Sequence, residues 1–206
     1  MIIDKRIIGV AMATSKDEIR PVLASVKFKD GKQIGTDGFY MLMIQEKNVD
    51  KADIPIIEDK KYEPVEEAMI PAKELIAFAK KIKKSNTLPI LENAWTIPTE
   101  EGSIKLITTD LDNSSYLQTR KVVGEYPNVD KIIDEAKAKK PVIEINFSPK
   151  KMRELLQAME KAGLDQGYSM VTMRLTNVND PIILTGNDSE KREVFGLLMP
   201  MRKGDK

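Results

Sequence analysis

Apolar residues along this chain recur first at helical spacing and then at strand spacing, and the cycle runs three times. Residues 4–13 set Ile7, Ile8, Val10 and Ala11 against Lys5 and Arg6, the one-sided pattern of a short helix. Within 71–84, Leu75, Ile76, Ala79 and Ile82 form an i, i+1, i+4, i+7 stripe; within 149–162, Met152, Leu155, Leu156 and Met159 form another. Pro71 and Pro149 suit a first helical turn, where no backbone N–H is needed. Ser148 reads as an N-cap and Gly163 as a C-cap.

Strand patterns follow each helix: 20–29, 33–36 and 40–45, then 92–98, 104–108 and 116–123, then 169–176, 181–185 and 193–199. One more, 141–147, precedes the third helix. Asp30-Gly31 and Glu101-Gly102 supply tight turns. Further turns fall at Thr36-Asp37-Gly38, Thr109-Asp110 and Thr185-Gly186. Their spacing of roughly 75 residues is too long for common solenoid units, so each repeat needs its own core. Residues 48–64 read as a polar connector, 129–140 as a charged, partly helical one, and 203–206 as a frayed tail. The pattern predicts an α+β protein of repeated βαβββ half-domains, with helices on one face of antiparallel sheets. Residues 1–128 would hold two half-repeats and 141–206 a single one.

Composition narrows the chemistry. The 206 residues carry a formal charge of +1, so any nucleic-acid contact must come from local clustering of cations. With no cysteine there are no disulfides, thiolate metal sites or cysteine nucleophiles. With no histidine, the commonest general base and metal ligand is missing too. The charged start, MIIDKR, does not read as a signal peptide, and no apolar run reaches the roughly 20 residues of a membrane span. A cytoplasmic protein without cofactor or membrane partner is expected.

Four stretches carry a resemblance: Arg20-Pro21-Val22-Leu23 leading to Thr36-Asp37-Gly38; Ile70-Pro71-Ala72-Lys73-Glu74-Leu75; Gly124-Glu125-Tyr126-Pro127; and Leu198-Met199-Pro200-Met201-Arg202. In this order and spacing they resemble the bacterial DNA polymerase III beta subunit, the sliding clamp family. The resemblance implies the DNA-clamp fold. In that family each chain has three domains of two half-repeats, and two chains close into a ring. Residues 1–128 resemble the family's middle domain, and 141–206 the second half of its last domain. Four such chains would supply the twelve half-repeats of the family's ring, so a homo-oligomer, tetrameric in the simplest case, is expected.

The implied role is a processivity factor that encircles duplex DNA without reading sequence and tethers polymerase and clamp-loader peptides. The helix cations Lys5, Arg6, Lys73, Lys80, Lys81, Lys84, Lys150, Arg153 and Lys161 would face phosphates as point charges. A peptide groove would use Leu23, Thr36, Gly38, Tyr40, Met41, Pro127, Ile132, Leu197 and Met199, with Phe39 and Tyr40 where the family often has a basic residue. Methionines suit such a groove because they are unbranched and polarizable. The plainer readings are a solvated lysine face and ordinary core and turn residues.

Other motifs are weaker. Asp110 and Asp112, near Glu100 and Glu101, lack the glycine and terminal glutamate of a calcium loop. Asp37 reads as a turn cap and Trp95 as core. The rival functions are a clamp-like adaptor or decoy that binds clamp-motif peptides without encircling DNA, an enzyme using Asp110 and Asp112, and a scaffold.

Overall fold

The computed structural model describes residues 1–57, 59–85, 88–164 and 170–201. Ser169, Arg202 and the expected tail at 203–206 lie outside them. The chain forms two compact units, Met1–Asn128 and Val129–Lys206.

The first unit runs β1 (Ile2–Asp4), α1 (Ile7–Met12), β2 (Ser25–Lys29), β3 (Lys32–Thr36), β4 (Met41–Gln45), β5 (Glu67–Pro71), α2 (Ala72–Ala79), β6 (Asn93–Ile97), β7 (Ser103–Thr109) and β8 (Ser114–Arg120). All pairing is antiparallel, in two four-stranded sheets of order β4-β3-β2-β5 and β1-β6-β7-β8. Each half-repeat therefore lends its first strand to the other. β1 pairs with β6, setting Ile3 opposite Ala94, and β5 pairs with β2, setting Ile70 opposite Val26.

The exchange knits one core. Ile3, Ile7, Val10, Val26, Ile70, Leu75, Phe78, Ala94 and Leu106 are buried in a single cluster drawn from both sheets and both helices. Beyond the second sheet lies a smaller cluster, in which Ile54 packs with Ile2, Trp95, Ile97 and Ile107. The connector at 48–64 thus adds an apolar cover, with Val49, Ile57 and Tyr62 against it. This cover explains why all five residues of β6 are buried.

The second unit holds α3 (Val129–Ala138), α4 (Pro149–Met159), β9 (Thr172–Arg174), β10 (Ile182–Asn187) and β11 (Glu193–Leu198), the strands in order β11-β10-β9. Ser148 caps α4 by accepting from the Lys151 N–H, and a wide turn at Glu160–Leu164 follows, with Gly163 at φ 112°. Met152 and Met159 of α4 pack on Ile182, Leu184 and Leu198.

Several expected boundaries are corrected. The helix expected at 4–13 is shorter, because residues 2–4 are recruited as a strand by β6. The strand expected at 20–29 begins only at Ser25. Before it, Arg20 N–H bonds to the Asp17 carbonyl and Ala24 N–H to the Arg20 carbonyl, a local coil that consumes the groups a ladder would need. Residues 141–147 are in no strand.

Candidate functional site

Two concave surfaces of the first unit gather residues singled out by the sequence. The first lies around the turn that leads into β2. Arg20, Pro21, Val22 and Leu23 face Glu125 and Pro127 across a cleft of about 300 Å³. Gly124 permits the close approach of the two walls: a Cβ there would fall 2.5 Å from Val22 Cγ2. Tyr126 anchors the Pro127 wall. Its ring is buried, its hydroxyl donates to the Ile34 carbonyl at 3.2 Å, and the Lys27 ammonium sits 5.4 Å from the ring centroid. Burial pushes the Tyr126 phenol up to about 12, which keeps it a donor.

Leu23 is tied to the Thr36–Met41 turn through residues 12–15. Ser15 N–H donates to the Leu23 carbonyl at 2.9 Å, and the Tyr40 hydroxyl donates to the Met12 carbonyl at 3.5 Å. The turn is built by its own polar groups. Thr36 Oγ1 donates to the Tyr40 carbonyl and accepts from Gly38 N–H. Asp37 accepts from Phe39 and Tyr40 N–H, and these bonds hold its carboxyl below the usual range. Asp37 is thus a turn cap. Thr109 and Asp110 repeat the arrangement around Asn113, with Lys83 also donating to Asp110. Among the described residues no cluster of three or more His, Cys, Asp or Glu side chains could hold a metal ion.

Of the expected groove residues, Leu23 and Pro127 share the cleft. Thr36 is buried in its turn, Met41 is half-buried, Gly38 is exposed, and Tyr40 is more than half exposed beside the fully exposed Phe39. Ile132, Leu197 and Met199 belong to the second unit, where each is also more than half exposed. None of these three is a core residue of its own unit.

The second surface is basic. Lys5, Arg6, Lys47, Lys83 and Lys84 line a cleft of about 200 Å³ with Asp4 and Glu92, five cations against two carboxylates. Its walls come from both half-repeats: the turn between β1 and α1, and the segment after α2. Arg6 Nε donates to both carboxylate oxygens of Asp4, at 3.0 and 2.8 Å, leaving Lys5 and Lys84 the freer of the expected residues. Lys47 and Lys83 were not anticipated. Lys83 belongs to the visible run Lys80, Lys81, Lys83, Lys84, whereas Lys47 is placed by Glu46, which accepts the Ile2 N–H.

The remaining cations are exposed but separate. Lys80 and Lys81 follow α2, and Lys73 lies 3.4 Å from Glu18. In the second unit Lys150 lies 3.9 Å from Glu154, Arg153 borders an apolar hollow, and Lys161 sits in the wide turn. No helix among the described residues is long and apolar enough to cross a membrane.

No protein-family model matches the chain, and no curated protein matches it. Solved structures do. The beta subunit of DNA polymerase from Streptococcus pyogenes superposes with a TM-score of 0.66 at 20% identity, over 98% of this chain and 50% of that one. The fold is that of the bacterial sliding clamp. DNA polymerase III subunit beta from Borrelia burgdorferi gives a TM-score of 0.64 at 16% identity, over 97% and 48% of the two chains. The sliding clamp of Bacillus subtilis gives 0.59 at 19% identity, over 98% and 49%. This clamp-fold chain spans about half the length of the solved clamps it matches.

Proposed function

We propose that the protein is a sliding clamp: a processivity factor that encircles duplex DNA as an oligomeric ring and tethers a polymerase or loader through a short peptide. The observation that carries this reading is the basic cleft assembled from the helix-proximal turns of both half-repeats, on a chain with the clamp fold. Lysines at the ends of short helices meet phosphates without base readout, which is what sliding requires. The protein makes and breaks no bonds; topology retains it, and weak electrostatics allow movement.

The test replaces Lys5, Lys80, Lys84 and Lys150 with alanine. Binding should weaken alike on all sequences, and the dependence of log affinity on log salt should flatten by up to about 0.9 for each phosphate no longer neutralised. A variant that binds like the parent would take DNA binding away from these helices. Encirclement has its own readout: a ring stays on closed circular duplex and leaves a linear one from its ends. Equal retention on both would favour the second reading, an adaptor that binds clamp-motif peptides without encircling DNA. That reading draws its support from the cleft between Leu23 and Pro127, whose walls both come from the first unit.

The peptide role is carried by the cleft between Leu23 and Pro127 and the exposed side chains near it. A cleft of this kind takes most of its affinity from a few buried side chains. Leu23→Ala and Tyr40→Ala should each weaken a labelled, hydrophobic-ended clamp-motif peptide by about 1–3 kcal/mol in fluorescence anisotropy. Unchanged affinity in both, with the fold intact by circular dichroism, would move the partner site elsewhere.

A further inference from the structure

The two units differ in one respect that their shared layout makes visible. In the first unit, the strand that follows each helix has its outer edge covered by the strand preceding the other helix. In the second unit, among the described residues, nothing pairs with the outer edge of β9. Residues 141–147, which precede α4 as β5 precedes α2, pair with no strand.

This segment nevertheless sits where β5 would. Met69, three residues before α2, accepts at its carbonyl the N–H of Val122, just past β8. Asn146, three residues before α4, accepts at its carbonyl the N–H of Met201, just past β11. Its side chains alternate as a strand's do: Ile143 and Ile145 are half-buried, and Val142, Glu144 and Asn146 are exposed.

The apolar surfaces tell the same story. β2 sets Val26 and Phe28 in the core at 0% and 3% exposure, whereas their counterparts Met173 and Leu175 are 48% and 39% exposed. Leu155 and Leu156 of α4 are half-buried where Phe78 and Ala79 of α2 are buried.

We propose that the second unit pairs with the second unit of another copy of this chain. Each lays residues 141–147 along the other's β9, across a two-fold axis. Among its described residues the unit is self-complementary: it holds one segment of strand-like alternation without a strand partner and one strand edge without a neighbour, and a single isologous interface satisfies both. The register follows from the first unit. Arg174 is opposite Ile183, two residues before Thr185, as Lys27 is opposite Ile34, two before Thr36. Lys27 faces Met69, so Arg174 of one copy faces Asn146 of the other. Met173 and Leu175 then face Phe147 and Ile145, and Leu156 of the two copies meets over the apolar hollow bordered by Phe147 and Met152. The inference deepens the ring reading by naming one joint, yet it rests on strand topology and not on DNA.

The chain has no cysteine of its own, which makes cross-linking clean. Full-length Asn146→Cys carrying a mass tag is mixed with untagged Arg174→Cys and oxidised without DNA. The tagged–untagged cross-link should form in several-fold excess over that from a control mixture of Asn146→Cys with Arg192→Cys, a site on the β10–β11 turn. In sedimentation at tens of micromolar the parent should associate, and Leu175→Glu, on the exposed edge, should lose that association while keeping its circular dichroism. No excess cross-link, or a strictly monomeric parent, overturns the proposal. The cross-link without retention on circular DNA would remove only the ring reading, and retention without the cross-link would remove only this joint.

Discussion

Gly35→Ala is expected to destabilise the first unit by about 3 kcal/mol or more, the upper end of what overpacking costs. A Cβ at Gly35 would fall 2.1 Å from the Val10 carbonyl oxygen, 3.1 Å from its carbon and 3.2 Å from Thr14 Cγ2. The oxygen cannot turn away freely, because it accepts the Ala13 N–H at the end of α1. The helix would have to lift off β3, drawing Ile7, Val10 and Ala11 out of the core. Gly38 is the control. It has φ 99° but open space around its Cβ position, so Gly38→Ala meets only the backbone preference, about 1 kcal/mol. The single tryptophan, Trp95, lies in the first unit, so denaturant curves followed by its fluorescence report that unit. Equal losses in the two variants would mean that α1 does not rest on β3.

Ile3→Ala should cost about 2–5 kcal/mol, the range for truncating a buried isoleucine. Residues this near a terminus usually tolerate change. Ile3 is instead 1% exposed, sits opposite Ala94 and belongs to the cluster that joins both helices. Ile19→Ala, at a position 90% exposed, should stay within about 0.5 kcal/mol of the parent. If Ile3→Ala proves as mild in the same assay, β1 contributes little to the second sheet.

Helices α1, α2 and α4 were legible because their stripes are local. Leu75, Ala79 and Ile82, read from spacing alone, are all fully or almost fully buried. The β1 strand was legible only through the resemblance, which sets a strand cut to Met1–Ile3 before the first helix. Three residues carry no period, and what makes them a strand is β6, which lies far along the chain. Residues 20–24 differ in the opposite sense: the strand pattern at 20–29 includes them, but Pro21 cannot donate and Ser25 Oγ closes the turn onto the Pro21 carbonyl. In the cleft, Leu23 and Pro127 were reachable only through the resemblance, since neither stands out by composition. Lys83 was hidden for a different reason. Nothing in the lysine run 80–84 separates the residue that reaches Asp110 from its neighbours.

The exchange of first strands also governs the order in which the first unit can be assembled. Ile3 finds Ala94 only after the intervening chain exists, so this pairing is among the most non-local the fold contains. Non-local pairing slows folding, because chain closure precedes any gain from contact. On a ribosome working at ~5–20 residues per second, β1 waits roughly 5–20 s for β6 to be made. For most of that interval the first sheet also lacks β5, so a half-repeat is not a folding unit. A nascent chain halted before Asn93 would hold an apolar strand idle, a substrate for chaperones rather than a folded intermediate.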